Sequence, residues 1–320
     1  MVKKSVVVAA TALLACATGA VWAESSVTIY GLVDQAVGKN IGAADEGILD
    51  STGSRLGFKG EHDLGSGLTG SFQLEQRFSP QSGSSATPFF KGGSWVGLSG
   101  GFGKVMIGRQ WSEAFLKSEF ASDPFGMSTV AGVNFGTVGC GGVGGCVGAF
   151  WVDNSVSYEY SAGPVSFGAQ VAQTPFPGAK LPFNFGVSYS DGPLYVGFGY
   201  EAHESVFSTA GAGFDAQWSH LTVNYDFGAV KLITGFGGGK DNLNNDRRNV
   251  VVGLVVPFGA SALIAQYNQH DEAGSTVVAQ TAVGYQYNLL KGTKLFATVT
   301  NDSKAVKNKT GYDLGILFSF

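Results

Sequence analysis

The chain has 320 residues, of which 14% are charged, 12% are aromatic and 49 are glycine, and its formal net charge is −4. Soluble domains ordinarily carry about 25% charged residues, so this protein is unusually poor in charge. The acidic balance argues against nucleic acid as a partner. After residue 23, no segment approaches the roughly 18 consecutive apolar residues of a membrane-spanning helix.

The first 23 residues have the pattern of a secretory signal peptide. Lys3 and Lys4 precede an apolar run over residues 6–20, and residues 21–23 read Val-Trp-Ala. This pattern predicts export and cleavage before Glu24. The mature chain, residues 24–320, would then hold 18 basic and 24 acidic residues, for a net charge of −6.

The three cysteines predict neither a metal site nor a cofactor. A lipoprotein start at Cys16 is an alternative to cleavage before Glu24, but Leu14 is bulky for that motif and the apolar run continues past the cysteine. Cys140 and Cys146 enclose a glycine-rich segment, and in an oxidising compartment they would close a small disulfide ring. Two isolated cysteines lack the four-ligand pattern of zinc sites.

From residue 26 onward, apolar and polar side chains alternate in one segment after another. In GSFQLEQRF (70–78), one set of alternate positions is mostly apolar and the other is wholly polar. Successive side chains of a β-strand point to opposite faces, so the alternation predicts strands with one apolar and one polar face. The same pattern occurs at 26–34, 54–61, 165–171, 183–189, 220–225 and 312–320.

The connections between these segments are of two kinds, short and long, which alternate along the chain. Seven are short and rich in turn residues, at 63–67, 99–103, 161–164, 190–193, 226–229, 257–260 and 288–292. Eight are longer and polar, near 39–53, 79–91, 111–154, 174–182, 204–213, 239–246, 271–275 and 302–310. This arrangement predicts an all-β fold of sixteen antiparallel strands, and strands of about ten residues suit a transmembrane barrel.

A soluble β-sandwich is the alternative fold, because its strands also alternate. It does not account for the number of strands, the glycine content or the aromatic residues beside the short turns. Phe102, Phe227, Phe258 and Tyr287 occupy positions where a barrel places its interfacial aromatic girdle. A barrel of sixteen strands is also wide enough to enclose an aqueous channel.

Several segments resemble, in order, the general trimeric porins of Gram-negative outer membranes, most closely their β-proteobacterial branch. The similar stretches are SSVTIYGLVDQAV (25–37), SRLGFKGEHDLGSGLTGSFQLEQRF (54–78), WVGLSGGFGKVMIGRQ (95–110), DNSVSY (153–158) and the terminal Phe320. The resemblance covers nearly all of residues 24–320. It implies an outer-membrane homotrimer of sixteen-stranded barrels through which ions and small hydrophilic solutes diffuse. It also implies that the barrel-assembly machinery recognises Phe320.

In this family, the third external loop folds into the channel and narrows it, and here that loop would be residues 111–154. Basic residues of the wall then face acidic residues of the loop, and their field sorts the solutes. The resemblance implies a constriction role for Arg55, and alternation places Lys59 and Arg77 on the same polar face. Ordinary polar residues of the lumen are the alternative. Four acids would share that lumen, namely Asp34, Glu61, Glu75 and Glu159.

Glu113, Glu119 and Asp123 are the carboxylates of the third loop. We expect Glu119 and Asp123, rather than Glu113 at the loop root, to lie near the constriction. The alternative is that some of these acids cap the loop. Two arginines common in the family are missing here, before VGL (96–98) and before DNSVSY (153–158), with Lys91 a substitute for one of them. Their absence, with the net charge of −6, leaves the sign of the ion selectivity open.

Arg109 shares a face with Val105 and Ile107, which is the apolar face. A charge on the lipid face at mid-membrane costs about 2–4 kcal/mol, and less near the interface. We therefore expect Arg109 at a subunit interface or at a loop root, with a carboxylate partner.

Catalytic patterns are missing from the sequence, so we expect a channel rather than an enzyme. The four histidines are scattered, and no Gly-x-Ser-x-Gly element is present. Two other functions compete with passive diffusion. A substrate-specific channel would line its lumen with aromatic residues or a binding site, and an adhesin would carry very long external loops.

Overall fold

The computed structural model describes residues 25–133, 150–173, 180–204, 215–241 and 244–320, and these residues form a closed antiparallel β-barrel. Sixteen long strands make the wall, and two short strands, β2 and β5, lie in connections. The strands are β1 (Ser25–Lys39), β2 (Gly47–Leu49), β3 (Arg55–Gly65), β4 (Leu68–Ser79), β5 (Ser84–Ser85), β6 (Ser94–Gly100), β7 (Gly103–Trp111), β8 (Trp151–Ala162), β9 (Val165–Ala172), β10 (Phe183–Asp191), β11 (Leu194–Glu204), β12 (Asp215–Asp226), β13 (Lys231–Lys240), β14 (Asp246–Phe258), β15 (Ser261–Glu272), β16 (Ser275–Leu290), β17 (Thr293–Asp302) and β18 (Thr310–Ser319). The predicted sixteen-stranded barrel is confirmed.

Each long strand pairs with the next along the chain, and the last strand closes the ring. β18 pairs with β1 from Leu32–Ser319 to Lys39–Tyr312, and β1 pairs with β3 on its other side. Among the described strands, closure leaves no free sheet edge. A free edge would expose unpaired backbone groups. Within this closed order, β3 and β4 lie opposite β12 and β13.

The barrel has a short-turn end and a long-loop end. The seven predicted short turns all lie at one end, where Phe320 also pairs with Gly31 through two backbone hydrogen bonds. One of the eight connections predicted to be longer is wrong, because Ala273 and Gly274 alone join β15 to β16. Both residues have positive φ, 47° and 79°, which suits a tight hairpin turn that needs glycine or a tolerant residue. The polar residues beside it continue the two strands, through a register shift after His270.

The two faces of the wall reverse the usual arrangement of a globular core. Asn249 and Asn268, on inward positions, are almost wholly buried, whereas Val283 and Leu314, on outward positions, are 61% and 67% exposed. This assignment follows from the period of two, since a shift of one residue would exchange the faces. Among the described residues, no helix is both long and apolar enough to cross a membrane.

The third loop joins β7 to β8 and lies inside the barrel. Its described part, residues 112–133, contains two short helical segments, Phe115–Glu119 and Phe120–Ser122. Phe115 packs with Val133 and Val251, while Phe125 packs with Ala131 and Ile264, so two small apolar clusters join the loop to the wall.

Candidate functional site

The third loop covers one half of the inner wall, here called the covered wall and formed by the inner faces of β9–β16 and β18. Side chains of this wall hold the loop backbone at six points. The donors and acceptors are Glu113 N to Asn184 Oδ1 (2.8 Å), Tyr195 Oη to Lys117 O (2.8 Å), Thr222 Oγ1 to Ser118 O (2.8 Å), Asn224 Nδ2 to Ala121 O (2.7 Å), Gln266 Nε2 to Ala131 O (3.0 Å) and Val130 N to Asp313 Oδ2 (2.7 Å). These bonds satisfy loop carbonyls and amides that no sheet pairs, so the loop is fixed inside the lumen.

Glycines of the covered wall make room for the loop. A Cβ atom at Gly253 would lie 2.6 Å from Pro124 Cγ, and one at Gly235 would lie 2.6 Å from Ser122 Cβ. Both separations are too short for real contacts, so any larger residue would force the loop away from the wall. The same holds at Gly168, Gly186, Gly197, Gly199 and Gly284.

An aromatic stack fixes the root of the loop. Trp111 stacks on Trp151 with ring centroids 4.0 Å apart and on Phe115 with centroids 5.0 Å apart. Phe150 completes the group against Phe115 at 4.7 Å. Because these rings belong to the end of β7, the start of β8 and the loop, they direct the chain into the lumen as it leaves the strand.

The loop carboxylates are buried against the covered wall. Glu113 and Glu119 are each 1% exposed, and Asp123 is 5% exposed. Burial, together with the nearby Glu159, raises the pKa of Glu113 to about 8. Burial and the neighbouring Glu201 raise the pKa of Glu119 well above its ordinary range. Two carboxyl pairs thus form where the loop meets β8 and β11.

Asp123 holds the loop in its own shape. Its Oδ1 accepts the backbone N–H of Phe125, and its Oδ2 accepts those of Met127 and Val133, all at 2.8–2.9 Å. Burial raises the pKa of Asp123 to about 6, although these hydrogen bonds act in the opposite direction. The carboxylate expected near the constriction is therefore taken up by loop backbone, which matches the alternative of a loop cap.

The facing wall consists of the inner faces of β1, β3, β4, β6 and β7. Arg55 and Arg77 are direct cross-strand neighbours on β3 and β4, and Lys59 lies on the same face further along β3. Arg77 Nε donates to Glu75 Oε1 at 2.8 Å, and Arg77 Nη1 donates to Gly53 O at 3.1 Å. No described carboxylate lies within ion-pair distance of Arg55 or Lys59.

Of the other acids predicted in the lumen, Asp34 and Glu75 are held by hydrogen bonds or an ion pair. Asp34 is fully buried, and its Oδ2 accepts the N–H of Thr52 at 2.8 Å, so it braces the connection between β1 and β3. Glu75 is held by Arg77 and by Tyr30, whose hydroxyl donates to Glu75 Oε2 at 3.0 Å. Glu61 is exposed on β3, and Glu159 lies beside the third loop.

Lys104 is a functional candidate in addition to the residues predicted from the sequence. It lies on the inner face of β7, with Nζ 4.5 Å from the centroid of the Trp95 ring. Alternation with Val105 and Ile107 places Lys104 on the polar face, so the sequence does contain a signal for it. Lys104 stands directly after the short turn at 99–103, where the alternation begins.

Arg109 lies near the long-loop end of β7, with its guanidinium 5.2 Å from the Trp151 ring centroid. It forms an ion pair with Asp153, and its Nε donates to Lys91 O at 2.9 Å. Lys91 is exposed in the connection between β4 and β6, and only its backbone makes this contact. Cys140 and Cys146, and the predicted signal peptide of residues 1–23, lie outside the described residues.

Comparisons with known proteins agree with this architecture. A family profile described as Gram-negative porin matches residues 9–305. Outer membrane porin protein 32 of Delftia acidovorans is 30% identical and covers 98% of this chain and 92% of its own length. An outer membrane porin protein of Bordetella pertussis is 29% identical and covers 90% of this chain and 91% of its own length.

The solved structure of an anion-selective porin from Comamonas acidovorans superposes with a TM-score of 0.80 at 26% identity, covering 93% of this chain and 100% of that one. Salmonella typhi OmpF has the same fold, with a TM-score of 0.73 at 17% identity over 92% of this chain and 97% of that one. The lumen, its inner loop and these similarities identify the chain as a member of the Gram-negative porin family, a diffusion channel of the bacterial outer membrane.

Proposed function

We propose that this porin is a passive channel that favours small anions over cations and carries out no catalysis. One observation carries the proposal. The facing wall presents Arg55, Lys59 and Lys104 to the open side of the lumen, whereas the carboxylates of the third loop are buried against the covered wall. A ring of one charge sign sets the ion preference of a pore.

The loop carboxylates add little negative field to the open side. Asp123 is surrounded by backbone N–H groups, and the raised pKa of Glu113, about 8, keeps that carboxyl largely protonated at neutral pH. Glu75 is neutralised by Arg77. The groups that the facing wall exposes to the lumen, Arg55, Lys59, Lys104 and Glu61, are therefore positive on balance, even though the net charge of residues 24–320 is negative. A focused local field, rather than net charge, governs which ions enter a cleft.

The reversal potential of single channels in a potassium chloride gradient tests this function. We expect the sign of the reversal potential to be that of a pore more permeable to chloride than to potassium. The double variant Lys59→Glu with Lys104→Glu should reverse that sign. Lys309→Glu is the matched control, since Lys309 is exposed in the connection between β17 and β18. A cation-directed potential in the unmodified protein would overturn the anion preference, and absence of conductance would overturn the channel function.

The assembly follows from the family resemblance and is also a proposal. We infer a homotrimer embedded in outer-membrane lipid, exported with residues 1–23 as its leader and inserted by the barrel-assembly machinery through Phe320. The exposed apolar outer face supports contact with lipid or with neighbouring subunits. Conductance steps in groups of three and a trimer mass in detergent are the expected results, and a monomer mass would contradict them.

A further inference from the structure

A cavity of about 520 Å³ lies on the facing wall, toward the short-turn end. Its lining includes Tyr30, Lys59, Gln73, Trp95 and Lys104. We propose that it is a binding site for small aromatic carboxylates, with the solute ring on Tyr30 and Trp95 and its carboxylate between Lys59 and Lys104. This inference rests on the proposed anion channel and names a solute class for it.

The two aromatic rings of the site are held in place before any solute arrives. Gln73 bridges them, because its Nε2 donates to Tyr30 Oη and its Oε1 accepts from Trp95 Nε1 at 3.0 Å. Tyr30 also donates to Glu75, which Arg77 holds in turn. Rings fixed in this way lose little conformational entropy when a solute binds.

Gly57 gives the Tyr30 ring its orientation. A Cβ atom at Gly57 would lie 2.3 Å from Tyr30 Cζ, so only glycine leaves room for the ring beside the strand backbone there. Tyr30 also lines the cavity. A flat aromatic face that borders water is suited to stacking with a second ring.

The charges of the cavity suit a single negative charge. Lys59 Nζ lies 5.5 Å from the Tyr30 ring centroid, and Lys104 Nζ lies 4.5 Å from that of Trp95. Among the described residues, neither ammonium group has a carboxylate within ion-pair distance. Glu61 is the carboxylate that lines the same cavity, which leaves one net positive charge from these three groups.

The pairing of cation and ring distinguishes this site from a simple anion-attracting patch. Each lysine stands beside an aromatic face, so a carboxylate bound by the ammonium groups would bring its substituent against Tyr30 or Trp95. An aromatic substituent gains from offset stacking beyond the area that it buries. An aliphatic substituent of similar size gains only from burial, so the site should separate the two classes.

Current block in planar bilayers tests the inference with the intact porin. Sodium benzoate and sodium cyclohexanecarboxylate match in charge and nearly in size, and only benzoate has an aromatic ring. We expect benzoate to block the chloride current in a saturable way, at about two- to tenfold lower concentration than cyclohexanecarboxylate. Equal block by the two acids in the unmodified protein would overturn the inference.

Variants of Trp95 sharpen the result. We expect Trp95→Leu to abolish the difference between the two acids and Trp95→Phe to retain most of it, because only the second keeps a ring. Val96→Ala is the control, since Val96 is the outward-facing neighbour and 61% exposed. Reversal potentials measured on the same membranes without organic anions keep failure of this site distinct from failure of the anion preference.

Discussion

The covered wall and the facing wall line the same lumen but differ in side-chain size and in charge. Glycines such as Gly235 and Gly253 dominate the contact with the third loop, whereas the facing wall carries large side chains, including Tyr30, Arg55 and Trp95. The covered wall is shaped to receive a segment of its own chain. The long cationic and aromatic side chains of the facing wall line the part of the lumen that the third loop leaves open. In the function proposed above, narrowing of the channel and selection of ions depend on different strands.

Enlarging a glycine of the covered wall should give the largest effect. Gly235→Val would push Ser122 away from β13, which should lower single-channel conductance and cost about 1–3 kcal/mol of stability. Bilayer recording and thermal loss of β-structure measure both. Gly238→Val on the same strand is the control, since a Cβ there has open space. Equal conductance of the two variants would show that the position of the loop does not depend on the contact between Gly235 and Ser122.

Loss of the Asp123 carboxylate should loosen the loop without changing selectivity. Asp123→Asn replaces an oxygen that accepts two backbone N–H groups with an amide, at a cost of about 1–2 kcal/mol. Faster proteolysis within residues 112–133 is the expected result, with an unchanged reversal potential. Asp45→Asn, in the exposed connection after β1, is the control. A shift of the reversal potential toward anions would instead place Asp123 among the field-setting groups.

Raising the pH should weaken the contact between the third loop and the covered wall. The pKa of Glu113 rises from its ordinary 4.5 to about 8 on folding, so the folded protein binds more protons than the unfolded chain between these values. Stability from this group is therefore complete below pH 4.5 and is lost as the pH rises through 8. Lys117, with Nζ 4.0 Å from Glu113 Oε2, and Lys104 moderate the loss.

The measurement is current noise from loop motion, recorded below pH 4.5 and above pH 8. Noise should increase at the higher pH in the unmodified protein, because charged Glu113 and Glu159 repel each other. Glu113→Gln should reduce this increase in noise, and the remainder belongs to Glu119 and Asp123, whose pKa values are also raised by burial. Current noise that does not change with pH in either protein would show that Glu113 does not help to hold the loop.

Breaking the ion pair at the junction of the two walls should have the smallest effect. Arg109 and Asp153 join β7 to β8 where the facing wall ends, and Asp153 is largely exposed. Exposed pairs contribute about 0.2–1 kcal/mol, so Arg109→Ala should lower stability by that amount. The combined exchange Arg109→Asp with Asp153→Arg should restore it. A loss of several kcal/mol would point to a buried subunit contact instead.

The strands and their faces are predictable from sequence because the physics is local. A period of two fixes which side chains face the lumen, and it placed Arg55, Lys59 and Arg77 there without knowledge of the fold. The same rule applies to Lys104, which stands directly after the short turn at 99–103. The connection at 271–275 is predicted as a longer loop, and only Ala273 and Gly274 form it, because polar strand ends resemble a loop in composition.

The fate of the loop acids is not predictable in this way, because it depends on contacts that are distant in sequence. Asp123 meets N–H groups up to ten residues away, and Glu119 meets Glu201 on β11. Their burial follows from glycines on strands far along the chain, such as Gly253. A sequence pattern identifies the acids, but their contacts with the covered wall determine the orientation of their carboxylates.

The hydrogen bond from Val130 N–H to Asp313 has a consequence for biogenesis. Val130 lies in the third loop and Asp313 in β18, the strand that closes the barrel against β1. The loop therefore gains its last anchor only when the final strand is in place. A barrel still open at this seam would lack one of the side-chain anchors of its loop, so closing the sheet also completes the attachment of the loop.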